Sequence, residues 1–264
     1  MSNITEIITI NRLNYKKIIN NLSLSIKKSS FTTISGTNRS GKTTLLKIIS
    51  GVIATSKNVL INSKYIEDYN KRELYESISL VTYNFNHYYD YQTVKEGLYK
   101  VLVDIKNNDE LYKEIIKITD IKDIINNNPN NLNIFEKIKF ELAQALASNP
   151  EILLIDNILL RLNKKEKKDI INIIKKINED KKITMIMVSN NLTDTVESDY
   201  LYILDRGTVA LEGKPLDILR KDNEINRLGM DIPFMIDLSV KLSDYDILNE
   251  IILDNDRMIG ELWK

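Results

Sequence analysis

The sequence has no cysteine and a single histidine, His87, in 264 residues. Disulfide bonds and thiolate metal sites are excluded, and one imidazole leaves little scope for a histidine-rich site. A cytosolic compartment is the expectation. An excess of charge of one sign is missing too, since 37 basic side chains balance 37 acidic ones. That balance removes the electrostatic footprint of a nucleic-acid binder, and no nucleic-acid partner is expected. No apolar run approaches the roughly 18 residues of a membrane span, and Met1 to Asn11 lacks a basic stretch followed by an apolar core. Any membrane role must then come through a partner. Glycine and proline are sparse, at 8 and 4 residues, so each glycine is expected where the backbone needs one. The abundance of Ile, Asn and Lys looks like codon bias and carries no functional weight. What remains is 43% hydrophobic and 28% charged, a globular composition sized for one large domain or two small ones.

Alternating polarity marks strands at Glu6 to Ile10, Leu22 to Ile26 and Phe31 to Ser35, the last running into Gly36. Leu45, Leu46, Ile48 and Ile49 give helical spacing from Lys42 to Ser50, closed by Gly51. Further strands are expected at Asn58 to Asn62 and Ile78 to Thr82. From about Gln92 to Ala147 helical spacing takes over, as in Asp109 to Thr119 and Phe135 to Ala147, with an Asn-rich loop from Asn126 to Asn133. Ile152 to Ile155 is wholly apolar, as in strands buried on both faces, and ends in Asp156. Lys164 to Asp180 reads as an amphipathic helix, and Thr184 to Val188 as another buried strand. Tyr200 to Leu204 and Thr208 to Glu212 flank Asp205-Arg206-Gly207 as a hairpin, and a polar, mostly helical tail runs from Leu216 to Lys264. Strands alternating with helices imply an α/β sheet with crossovers.

Gly36-Thr37-Asn38-Arg39-Ser40-Gly41-Lys42-Thr43 satisfies the phosphate-loop pattern and sits between a strand and a helix. A phosphate chain needs backbone N–H groups turned inward, the positive end of a helix and one ammonium. Lys42 is that ammonium and Thr43 the expected Mg²⁺ ligand; an ordinary turn is the competing reading. Asp156 is the expected second half of the site, holding Mg²⁺ through water. A lone Asp at a strand end is more often a cap or turn residue, and the upstream loop tips the balance to the metal.

Together these residues resemble the nucleotide-binding subunit of an ATP-binding cassette (ABC) transporter, across nearly the whole chain. The stretch from Pro129 to Pro150, with Ala143, Ala145, Leu146, Ala147 and Asn149-Pro150-Glu151, matches the family's run from its signature loop to the strand carrying Asp156. Leu211-Glu212-Gly213-Lys214-Pro215 is similar to its closing strand and turn. The sequence is more closely similar to the energy-coupling-factor ATPases of vitamin and metal uptake. Thr93-Val94, after the polar loop that begins at Asn84, and the tail Ile225 to Pro233 carry that likeness. The resemblance implies a P-loop cassette: a mixed, largely parallel core sheet, an N-terminal antiparallel β subdomain, an inserted helical subdomain at about residues 87–149 and a C-terminal extension. The cassette would span residues 1–215 and the extension 216–264. It also implies ATP and Mg²⁺ as cofactors, with Tyr15 stacking on adenine. The candidate nucleotide-binding residues are Tyr15, Gly36, Thr37, Asn38, Arg39, Ser40, Gly41, Lys42, Thr43, Thr44 and Asp156, with Thr43 and Asp156 as Mg²⁺ ligands. Expected partners are a second ATPase, a heterodimer being favoured over a homodimer, and a transmembrane coupling subunit. The expected location is peripheral, on the cytoplasmic face of the cell membrane.

Departures from the family pattern carry the most information. Asn157 stands where a catalytic Glu activates water, Asn190 where the switch His belongs, and Tyr83 where a Gln senses the γ-phosphate. The signature loop aligns with Leu132-Asn133-Ile134-Phe135-Glu136, which lacks two glycines and a Ser hydroxyl and adds an acid. Loss of a general base costs about 10²–10⁴ in rate. Binding of Mg-ATP with slow turnover at both sites of a dimer is therefore expected, and a non-hydrolysing assembly or regulatory subunit is the alternative. Arg39 replaces a glycine; either its backbone is strained by roughly 1–2 kcal/mol at φ > 0 or its guanidinium adds a phosphate contact. Tyr83, Phe85, Tyr88, Tyr89 and Tyr91 lie where the family docks coupling helices, and the same cluster reads equally well as local packing. His87 is expected at the surface.

Overall fold

The computed structural model describes residues 5–82, 88–102 and 108–263. Strand β1 (Glu6–Tyr15) pairs antiparallel with β2 (Ile19–Lys27), and β3 (Phe31–Gly36) leads into helix α1 (Lys42–Ile49). Short strands β4 (Val59–Ile61) and β5 (Lys64–Tyr65), helix α2 (Lys71–Ser77) and strand β6 (Ile78–Thr82) follow. Helices α3 (Val94–Leu102), α4 (Asn108–Thr119) and α5 (Ile134–Ala147) separate β6 from β7 (Ile152–Asp156). Helix α6 (Lys164–Lys181) connects β7 to β8 (Thr184–Val188), and β9 (Tyr200–Asp205) and β10 (Thr208–Gly213) form the hairpin. The tail holds α7 (Pro215–Leu219), α8 (Asp222–Arg227), α9 (Phe234–Asp244) and α10 (Asn255–Leu262).

Two sheets result. One is antiparallel in the order β2-β1-β4-β5; the other runs β10-β9-β3-β8-β7-β6 and is parallel except for β10. β3, β7 and β8 are buried along their whole lengths, because helices cover one face and the antiparallel sheet with α1 covers the other. Ile170, Ile174 and Ile177 of α6 and Leu142, Ala143 and Leu146 of α5 fill the first layer. Ile8, Ile10 and Leu22 join Leu45 and Ile48 of α1 in the second. The tail is less separate than its polarity implies. Ile218, Leu219, Ile225 and Ile236 bury themselves against Leu201 and Ile203 of β9.

β1 runs five residues past the predicted end at Ile10. Its register shifts between Ile10 and Leu13 and again before Tyr15, so bulges break the alternation that marks a strand in sequence. Asn126 to Asn133 is a loop with one 3₁₀ turn, Pro129–Asn131. Among the predicted aromatic cluster, Tyr89 is buried and packs on Phe140 with ring centroids 5.5 Å apart, while its hydroxyl donates to Glu141. Tyr91 meets Phe140 edge-on at 6.1 Å. Local packing accounts for these two, whereas Tyr88 is 80% exposed. Tyr83, Phe85 and His87 lie outside the described residues.

The turn joining β1 to β2 is fixed to the centre of the molecule through two glycines. Gly41 (φ +103°) and Gly207 (φ +81°) let the Ile18 carbonyl approach, and a Cβ on Gly207 would lie 2.2 Å from that oxygen. Asn20 N–H donates to Gly207 O at 2.9 Å and Gly207 N–H to Ser40 O at 3.1 Å, so this contact ties the phosphate loop to both sheets. Gly207→Ala is expected to cost at least about 1–2 kcal/mol from φ alone. In a thermal melt the midpoint should fall by at least about 2–4 °C; an unchanged midpoint would contradict this tie.

Candidate functional site

Register places the site. Ile34, Val188 and Asp156 lie level across three adjacent parallel strands, so the residues that follow them leave the sheet together at its carboxyl end. Ser189 N–H still donates to Ile34 O at 3.2 Å and Asn157 N–H to Val188 O at 3.1 Å, which keeps the three loops in contact. Gly41, in the left-handed region, caps α1 and aims the helix's free N–H groups at the space above.

Lys42 is the first residue of α1 and is 5% exposed. Its Nζ donates to Gly36 O at 2.8 Å, Thr37 O at 2.7 Å and Ser40 Oγ at 3.1 Å. Burial brings its pKa down from 10.5 to about 8, with the Asp156 charge acting in the opposite direction. Thr43 Oγ1 donates to Asp156 Oδ1 at 3.1 Å, joining the helix start to the end of β7. Burial raises the pKa of Asp156, opposed by hydrogen bonds from Thr43 and Asn157 and by the charges of Lys47 and Lys42.

The two asparagines that depart from the resembled pattern both have partners. Asn157 adopts φ +54°, a conformation asparagine tolerates better than most side chains. Its Nδ2 donates to Asp156 Oδ1 at 2.8 Å, the oxygen that Thr43 also reaches. Asn190 Nδ2 donates to Asn38 Oδ1 at 3.0 Å, so a neutral amide pair joins the loop after β8 to the phosphate loop. Arg39 has φ +67°, placing its backbone in the strained region considered from sequence, and its side chain is exposed. In the segment that sequence aligns with the signature loop, Asn133 caps α5. Its Oδ1 accepts from Glu136 N–H, and Glu136 Oε2 accepts from Asn133 N–H, both at 3.0 Å. The acid that this segment adds, Glu136, is thus held against its own helix.

A cleft of about 430 Å³ lies above these groups, lined by Ile18, residues 38–44, Asn157 and Asn190. Gly36, Thr37 and Asp156 contribute from beneath, through the bonds to Lys42 and Thr43. Tyr15 is half-buried at the end of β1, with Lys16 Nζ 5.2 Å from its ring centroid, beside the lining rather than in it. Ile18 was not foreseen: it belongs to no motif, and only the glycine contact with Gly41 and Gly207 brings it to the rim.

A phosphate loop closing a central parallel strand, with a carboxylate two strands away and hydrogen-bonded to its Thr, defines a P-loop cassette. Comparison with known proteins agrees. The family model described as "ABC transporter" matches residues 19–159, and the chain belongs to that family. It is 28% identical over 251 residues to the energy-coupling factor transporter ATP-binding protein EcfA1 of Mycoplasma mobile, covering 93% of this chain and 90% of that one. It is likewise 28% identical over 232 residues to EcfA1 of Staphylococcus aureus, covering 85% of each. Among solved structures, cbiO1 from Clostridium perfringens, part of the ABC transporter complex cbiONQ, superposes with a TM-score of 0.77 at 21% identity, covering 88% of this chain and 98% of that one. A cassette solved as a dimer in a post-hydrolysis state with ADP and Pi gives 0.68 at 23% identity, covering 79% and 98%. These likenesses establish the ABC cassette fold.

Because Lys42 has a folded pKa near 8 against 10.5 unfolded, the native state holds fewer protons than the unfolded one between those values. The burial cost of the ammonium is then fully present below pH 8 and is relieved as pH rises towards 10.5. Urea unfolding of the wild type and of Lys42→Met across that range should show the difference moving in favour of the wild type. A difference that stays flat would place Lys42 at its ordinary value.

Proposed function

We propose that the chain is the ATP-binding subunit of an energy-coupling-factor type ABC importer, binding Mg-ATP and energising uptake of a vitamin, metal ion or similar small solute, with weakened hydrolysis. The observation that carries this is the cleft itself: its lining includes Lys42 and Arg39 and no carboxylate, over a helix N-terminus. An anion with several oxygens suits such a site. Thr43 Oγ1 and Asp156 Oδ1, 3.1 Å apart, form an oxygen donor pair of the kind Mg²⁺ prefers. When bound, that ion neutralises charge on the β- and γ-phosphates. Lys42 would hold the phosphate chain from below and Tyr15 the base.

Weak turnover follows from the two asparagines. Asn157 cannot take a proton from water, and its amide is committed to Asp156. Asn190 carries no titratable group, and it is committed to Asn38. The capped Asn133 and Glu136 would offer an opposing subunit a poor signature loop. We infer a second, more intact ATPase as partner, a membrane coupling subunit above the pair, and a peripheral position on the cytoplasmic face of the membrane. Among the described residues no helix is long and apolar enough to cross a membrane, consistent with attachment through partners. Residues 1–215 would form the cassette, with the helical subdomain at about 87–149, and 216–264 an extension resting on β9.

Calorimetric titration of the purified chain with Mg-ATP should give micromolar affinity that Lys42→Ala abolishes; equal heats from both proteins would overturn the reading. In the assembled transporter, Asn157→Glu with Asn190→His should raise turnover at least about tenfold, below the full value of a general base because Glu is strained at φ +54°. No rise would favour a non-hydrolysing assembly subunit.

A further inference from the structure

Arg39 is the residue in the cleft whose charge the rest of the fold leaves uncommitted. Among the described residues its guanidinium makes no ion pair and no hydrogen bond, while its neighbours on both sides are engaged. Asn38 Oδ1 accepts from Asn190 at 3.0 Å, and Ser40 Oγ accepts from Lys42 at 3.1 Å. The Lys42 ammonium is already turned inward on two carbonyls of the loop. The carboxylate beneath the cleft, Asp156, is occupied by Thr43 and Asn157. An exposed guanidinium thus stands at the cleft wall with nothing acidic in the lining to neutralise it.

The backbone beneath it is strained. At φ +67° the position suits glycine, and any other side chain pays a conformational cost there. Strain of this kind concentrates at ligand sites. Guanidinium stays charged at every physiological pH, and its planar fork matches two oxygens of a phosphate.

We propose that Arg39 reads the terminal phosphate, so that this chain distinguishes a nucleoside triphosphate from a diphosphate by a cation of its own loop. The proposal rests on the nucleotide-binding reading above and adds to it a specificity-determining residue. Where Asn190 and Asn157 are neutral and turned to internal partners, Arg39 supplies charge at the γ-phosphate from within the chain. Discrimination between triphosphate and diphosphate then needs no second subunit.

Calorimetry on the full chain with Mg-ATP and Mg-ADP, using wild type, Arg39→Gly, Arg39→Lys and Lys42→Ala, tests this. Arg39→Gly should weaken Mg-ATP about 10- to 100-fold, the range of a charged hydrogen-bonded contact, and Mg-ADP less than about threefold. The same variant should raise the melting midpoint of the free protein by about 2–4 °C, since it removes strain, so weaker binding cannot be put down to misfolding. Arg39→Lys should fall between, keeping the charge without the fork. Lys42→Ala should lose both nucleotides. If the wild type binds both and Arg39→Gly leaves their ratio unchanged, the assignment fails and the nucleotide reading stands. If the wild type binds neither, both fall.

Discussion

A nearly buried ammonium at the first turn of a helix is the constraint on which the site depends. Lys42 is held by two carbonyls and a hydroxyl of the loop that precedes it, and burying such a charge is costly unless it is paired and hydrogen-bonded. The loop must therefore curl back over its own helix. Gly36 (φ +140°) and Gly41 (φ +103°) permit the curl. The position of Gly41 then lets the β1–β2 turn approach, which draws the antiparallel sheet onto the parallel one. Loop shape and the joining of the two sheets come from one arrangement.

Around that ammonium two asparagines make amide hydrogen bonds. Asn157 and Asn190 both have hydrogen-bond partners. Each donates from Nδ2 to a nearby oxygen, at 2.8 Å and 3.0 Å. Asn133 does the same service for α5 by accepting from Glu136 N–H. Such contacts order a site and hold its carboxylate in place, and they contribute no base. Under the function proposed above, such a cleft holds a triphosphate and cleaves it slowly.

Much of the fold was legible because the buried parallel strands are short, wholly apolar runs: Ile152 to Ile155 and Thr184 to Val188 admit few other readings. The phosphate loop was legible because its glycines and Lys42 have fixed spacing. Other features depend on contacts between distant parts of the chain. The bulged end of β1 contains Asn11, Arg12 and Asn14, which hide its alternation, and the two-residue β5 is too short to leave a pattern. Ile18 reaches the cleft through Gly207, far away in sequence. The tail reads as polar, and its few isoleucines gain meaning only once β9 is placed beside them. For Arg39 the substitution was visible and its backbone angle was not.

Whether the cleft holds Mg-ATP and cleaves it slowly is decided by following the nucleotide itself. Phosphorus NMR of Mg-ATP, added at one equivalent per site to the transporter complex purified through a tag on this chain, reports binding and cleavage together. Bound γ-phosphate resonances should persist long after an intact cassette transporter, assayed alongside, has released inorganic phosphate. Release at the intact transporter's rate would contradict slow cleavage.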